Sequence, residues 1–178
     1  MKRKIVEINK IKIGDDQNVR FIAELGVNHL GDFDRAIKMI DSAKKAGADF
    51  LKFQTYISEK RYDKKQNPKA EEFIGNLKKW EFDRSKDKEI WDHAKSVGAT
   101  VFTSPFDLES LEFAEKMGSM AYKIAAFEVN NHELIRGICS TKKPIVISRG
   151  MCTLEEMDNA VNIFEKFSSQ YIILHTIS

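Results

Sequence analysis

The 178-residue chain is short of the features that mark several large protein classes. It has two cysteines, Cys139 and Cys152, and neither sits in a CxxC pair. The pattern reads as two reduced thiols in a cytoplasmic protein. Neither sign of charge dominates. The 29 Lys and Arg residues face 27 Asp and Glu, a net charge of +2, which makes no electrostatic case for nucleic acid or an anionic membrane. No apolar run approaches the ~20 residues of a membrane span. The first ten residues alternate charged and apolar, which is not a signal-peptide pattern. No segment is of low complexity. The composition, 42% hydrophobic and 31% charged, is that of a soluble globular protein. The length suits one core rather than two full domains, so 1–178 reads as a single domain.

Within that domain one pattern repeats: amphipathic helix, glycine hinge, apolar strand. A helix over 34–46 carries Ile37, Ile40 and Ala43 and stops at Gly47, ahead of a strand at 49–54. A helix over 87–97 carries Ile90, Trp91 and Ala94 and stops at Gly98, ahead of a strand at 100–103. A helix over 108–117 stops at Gly118, ahead of a strand at 120–124. Glycine just past a helix end adopts the left-handed conformation without a Cβ penalty, so the three glycines mark the same joint. A short helix at 133–140 precedes a strand at 144–148. Thr153 and Glu156 form a capping box that opens a helix to about 167, and 171–175 is the last strand. With 21–24 at the start, six strands alternate with helices, which implies parallel pairing and right-handed crossovers. Residues 1–19 stand ahead of the repeat as a hairpin. Residues 55–86, rich in Lys and Glu and containing Pro68, read as a long βα loop, either a lid or a solvated segment. The expected fold is an α/β (β/α) barrel of TIM type, incomplete at about six of eight units.

Active sites of such barrels lie at the C-terminal ends of the strands. Polar residues recur there: Glu24, then Asn28 and His29; Lys52 and Gln54; Thr103 and Ser104; Lys123, then Glu128; Ser148; and His175. Lys52 and Gln54 are two apart and share a face, while Leu51 and Phe53 share the other and cover the helices. A lysine pointing into a barrel needs an anion, whether a structural glutamate or a ligand. Lys123 repeats the pattern two strands on, and with Ser104 and Ser148 describes a site for a phosphate or carboxylate. Glu24 reads equally as a general base or as the lysines' counter-ion. His29 is a site residue or a loop-ordering hydrogen bonder, and Asp32 a helix cap.

The run "FIAELGVNHLGDFDRAIKMIDSAKKAGADFLKFQTY" resembles the opening of the sialic acid synthase family, which includes synthases of N-acetylneuraminic, legionaminic and pseudaminic acids. "FTSPFD", "YKIAAFEVNNHELI", "PIVISRGMCTLEEM" and "IILHTIS" resemble its later motifs in order, so the likeness runs from about residue 20 to 178. The resemblance implies a (β/α)₈ barrel with a small antifreeze-like C-terminal domain, and a homodimer. It implies condensation of phosphoenolpyruvate with N-acetylmannosamine or a related amino sugar, with a divalent metal, Mn²⁺ or Mg²⁺, polarising the sugar aldehyde. Carried over by position, Glu24 handles the attacking water and Glu128 is the second acid. Lys52 and Gln54 lie near both substrates, and Lys123 holds phosphoenolpyruvate. Ser104 matches the hydroxyl of the strand-three turn and Ser148 the phosphate-contacting serine, while Thr103, Asn28 and His29 join the substrate-binding set from their place at the strand ends.

Departures from the family pattern shape the remaining expectations. Ala126 stands where a serine is usual, Phe127 leans towards the pseudaminic-type pattern whereas "GVNH" and "LH" lean towards the neuraminic and legionaminic type, and Arg149 adds a charge beside Ser148. A full barrel takes ~200 to 250 residues, so this chain is expected to lack two units, the metal-binding histidines and the antifreeze-like domain. It is expected to be inactive alone and to associate through exposed barrel edges. Two other readings stay open: a Schiff-base aldolase with Lys123 as nucleophile, and a non-catalytic degenerate paralogue.

Overall fold

In the computed structural model, which describes residues 5–177, the repeat is realised as six parallel strands in sequence order. An antiparallel hairpin, β1 (Val6–Ile8) and β2 (Ile11–Ile13), precedes them. The sheet consists of β3 (Ile22–Glu24), β4 (Phe50–Thr55), β5 (Val101–Pro105), β6 (Tyr122–Ile124), β7 (Ile145–Arg149) and β8 (Tyr171–His175). Each strand pairs only with its sequence neighbours, so β3 and β8 are free along their outer edges among the described residues. The helices are α1 (Phe33–Lys45), α2 (Ala70–Lys78), α3 (Arg84–Ser96), α4 (Leu108–Lys116), α5 (His132–Ser140) and α6 (Leu154–Lys166). Among the described residues no helix is long and apolar enough to cross a membrane.

The expected strands and five of the helices are present, and their ends follow local chemistry. Asp32 caps α1 by accepting from the Arg35 amide at 2.9 Å. The capping box at Thr153 and Glu156 opens α6. The reading of 55–86 as a plain loop needs correction. Strand β4 runs through Thr55, a 3₁₀ turn follows at Ser58–Lys60, and α2 occupies Ala70–Lys78. Ala70 and Ile74, four apart, bury one face of α2, a helical spacing hidden among charges. Helix α3 starts at Arg84 rather than 87, because Asp83 accepts from the Ser85 and Lys86 amides.

Strand alternation sorts the side chains between two cores. The outer faces carry Leu51, Phe53 and Val101 against Ile40, Trp91 and Ala94 of α1 and α3. Tyr122, Ile124, Ile145 and Ile147 pack against α4, α5 and α6 through Leu111, Ile135, Ile138 and Phe164. The inner faces begin with Phe50, Phe102, Ala121 and Val146, and these close around Ile8 of the hairpin. The hairpin therefore plugs the N-terminal end of the barrel. Its apolar alternation shows in the sequence, but its destination does not. Of the segment 1–19, residues 1–4 lie outside the described part.

Candidate active site

One layer above the apolar plug, the inward positions become polar. Register sets Glu24 opposite Lys52, Gln54 opposite Ser104, Lys123 opposite Val146 and Ser148 opposite Leu174. Lys52, Ser104, Lys123 and Ser148 are all buried. The Lys52 ammonium donates to Glu24 Oε2 at 2.5 Å and to Ser104 Oγ at 3.1 Å. The Lys123 ammonium donates to the Ile124 carbonyl at 2.6 Å. Burial, and next the positive charge of Lys52, pushes Lys123 down to about 8, against the opposing pull of Glu24. Burial also lowers Lys52, again opposed by Glu24. Two buried ammonium groups thus lie close enough to repel each other, one paired with Glu24 and the other held by a backbone carbonyl, an arrangement suited to a small polyanion.

Glu24, left above as base or counter-ion, is the ion-pair partner of Lys52 and keeps 44% of its side chain exposed at the β3 edge. Gly26 holds this corner together. It has φ +50°, and a Cβ there would lie 3.0 Å from Glu24 Oε1 and 3.3 Å from Gln54 Nε2. A side chain here would crowd both groups on a backbone that glycine adopts without strain.

Other expected site residues are placed elsewhere. Thr103 precedes Ser104 and so faces outward, where its hydroxyl lies 2.9 Å from that of Thr55; it does not join the cluster. The Asn28 amide donates to the Leu25 carbonyl at 2.9 Å. The His29 ring stacks on Phe82 with centroids 4.5 Å apart, and its Nδ1 accepts from the Gly31 amide. Both order the loop after β3, and burial lowers the His29 pKa. Glu128 stands above β6 in a 3₁₀ turn, Ala126–Glu128, and accepts from the Asn131 amide at 2.8 Å.

The structure adds Arg61, which the sequence reading passed over. Its guanidinium lies 3.5 Å from the Phe106 ring centroid and 3.7 Å from Glu128. The only signal was an arginine in a lysine-rich insertion. Among the described residues, no three His, Cys, Asp or Glu side chains gather into a metal site.

The sequence pattern of the NeuB family matches residues 39–178. The chain is 37% identical over 165 residues to a pseudaminic acid synthase of Campylobacter jejuni subsp. jejuni serotype O:23/36, covering 85% of this chain and 47% of that protein. It is 36% identical over 154 residues to an N,N'-diacetyllegionaminic acid synthase of Campylobacter jejuni subsp. jejuni serotype O:2, covering 82% and 46%. The crystal structure of an N-acetylneuraminic acid synthetase from Leptospira borgpetersenii serovar Hardjo-bovis, in complex with citrate, superposes with a TM-score of 0.90 at 32% identity, covering 98% of this chain and 60% of that one. The chain thus spans about half the length of the relatives it matches. With the half-barrel, its hairpin plug and the lysine-bearing strand ends in agreement, the chain belongs to the NeuB family of sialic acid synthase-like proteins.

Proposed function

We propose that this chain carries the phosphoenolpyruvate half of the active site of a cytoplasmic nonulosonic acid synthase, one that joins phosphoenolpyruvate to an N-acetyl amino sugar. The observation that carries the reading is the pair of buried ammonium groups, Lys52 and Lys123, with Glu24 as ion-pair partner. In the reaction, C3 of phosphoenolpyruvate bonds to the sugar aldehyde carbon, whose oxygen takes a proton. Water adds at C2 and inorganic phosphate leaves. Lys52 and Lys123 neutralise the carboxylate and phosphate of the donor, and Ser104 and Ser148 contribute hydroxyl contacts. Glu24, already bound to Lys52, handles the water. Glu128 serves the acceptor side, and Gln54 lies near both substrates. Thr103 supports Ser104 from the outer face, and Asn28 and His29 hold the loop behind Glu24. The family's divalent metal, Mn²⁺ or Mg²⁺, finds no ligand cluster among the described residues, so no step here is routed through it.

Calorimetric titration with phosphoenolpyruvate tests the proposal. Binding is expected in the parent chain and should fall at least about tenfold in Lys123→Met. No binding by the parent chain would overturn it.

A second reading has one observation in its favour. A Lys123 pKa of about 8 leaves a fraction of free amine near neutrality, as a Schiff-base aldolase requires. Borohydride trapping with pyruvate separates the two, because a covalent adduct on Lys123 belongs only to the aldolase.

A further inference from the structure

Behind the Glu24–Lys52 pair, the loop from β3 to α1 folds as consecutive turns. The Asn28 amide donates to the Leu25 carbonyl, Leu30 to that of Val27 and Asp32 to that of His29. The Leu25 amide donates to the Lys52 carbonyl and pins the start of the loop to β4. Beyond Leu25, the His29 ring links the two ends of the loop. Its Nδ1 accepts from the Gly31 amide at 3.1 Å, and the Gly26 carbonyl is its other backbone partner. A ring nitrogen that accepts an N–H carries no proton, so the neutral ring bears its proton on Nε2. Burial favours that neutral form by lowering the pKa below the ordinary histidine value.

The same loop supports the close of the insertion. The His29 ring lies on Phe82, with centroids 4.5 Å apart and planes inclined by 23°. Phe82 stands just ahead of α3, at the far end of residues 55–86. Gly31 has φ +79°, and a Cβ there would lie 2.5 Å from the Lys79 carbonyl oxygen. The insertion is therefore seated on the loop at two points, His29 and Gly31.

Gly26 carries this arrangement to the site. Its backbone runs so near the Glu24 carboxylate and the Gln54 amide that a Cβ would stand 3.0 and 3.3 Å from them. Gly26, His29, Gln54 and Phe82 also border one cavity behind the ends of β3 and β4, so packing alone does not fix the ring. Its hydrogen bonds do. A small displacement of Gly26 would shift Glu24 against the Lys52 ammonium, and misplacement of a reacting group costs function out of proportion to stability.

We propose that His29 is a positioning residue: with its proton on Nε2 it ties Gly26 to Gly31, sets the Glu24 carboxylate and the Gln54 amide, and through Phe82 makes their placement depend on the insertion. It acts through Gly26 rather than by touching substrate. The proposal rests on the synthase reading for the roles of Glu24 and Gln54.

The full chain tests this by NMR and calorimetry. Nitrogen-15 NMR of the His29 ring should place the proton on Nε2 at neutral pH. His29→Phe keeps the stacking on Phe82 and removes both hydrogen bonds, whereas His29→Asn keeps an acceptor for the Gly31 amide and removes the stacking. In His29→Phe the Gln54 side-chain amide resonances should move and phosphoenolpyruvate affinity should fall by about tenfold, with urea denaturation still cooperative. In His29→Asn the Gln54 resonances should stay near their parent positions, and affinity should return to within about threefold of the parent chain. A ring proton on Nδ1, Gln54 resonances unmoved in His29→Phe, or equal losses in the two variants would each overturn the proposal. If His29→Phe does not fold, the ring tautomer and His29→Asn still decide it. A parent chain that binds no phosphoenolpyruvate overturns the synthase reading alone, because the tautomer and the Gln54 resonances are read without ligand.

Discussion

The Lys52 ammonium sits 2.5 Å from Glu24 Oε2, yet the two partners live in different solvent environments. The lysine side chain is 9% exposed and the glutamate 44%. The pair spans the boundary between the barrel interior and the open edge of β3, so its two ends respond differently to substitution.

Glu24→Gln leaves the buried ammonium with only Ser104 as a side-chain partner. Water reaches Glu24 and discounts the loss, so the expected destabilisation is about 1–2 kcal/mol rather than the roughly 3–5 kcal/mol of a fully buried pair. Lys52→Met removes the charge that needs a partner and should destabilise less. Urea denaturation of the two variants checks the order, and a Lys52→Met chain less stable than Glu24→Gln would contradict it.

Lys123, pushed down to about 8 by burial and by Lys52, makes anion binding depend on pH. The charged form attracts the anion, so phosphoenolpyruvate affinity should weaken as pH rises through about 8. Stability should move the other way. Between about 8 and the ordinary lysine value of 10.5, the unfolded chain holds a proton that the folded chain has lost, so stability rises with pH across that window. Both slopes should flatten in Lys123→Met, as read by calorimetry and by denaturation from pH 7 upward.

Ile8, 1% exposed against Phe50 and Phe102, closes the N-terminal end of the barrel. Ile8→Ala should lower stability by roughly 2–5 kcal/mol. A change within the error of chemical denaturation would mean that the hairpin is dispensable to the core.

The free edges of β3 and β8 carry exposed Ile22 and Ile173, with Phe21 67% exposed beside them. Unpaired edges with apolar side chains favour association, so the chain is expected to self-associate at micromolar concentration. Sedimentation velocity reads this directly, and a monodisperse monomer counts against it.

Much of this molecule is legible along the chain because its information is local. The glycines after α1, α3 and α4, the capping box at Thr153 and Glu156, and the two-residue period that sets Lys52 and Gln54 apart from Leu51 and Phe53 all act over a few residues. They determine six helix-flanked strands and an inward Lys52 and Lys123 without reference to distant partners. The same period also separates Thr103 from Ser104, and it assigns Thr103 to the outer face once the strand is known.

The tertiary structure decided what depends on sequence-distant neighbours. Ile8 meets Phe102, Glu24 meets Lys52, and Arg61 meets Phe106 and Glu128. No short-range pattern encodes these pairings, because each depends on how the sheet curls and on where the insertion folds back. The sequence alone determined the repeating units and the polar ends of their strands. Closure of the plug, the Lys52–Glu24 pair beside Lys123 and the aromatic seat of Arg61 were decided by packing, since burial and charge pairing are properties of the assembled fold.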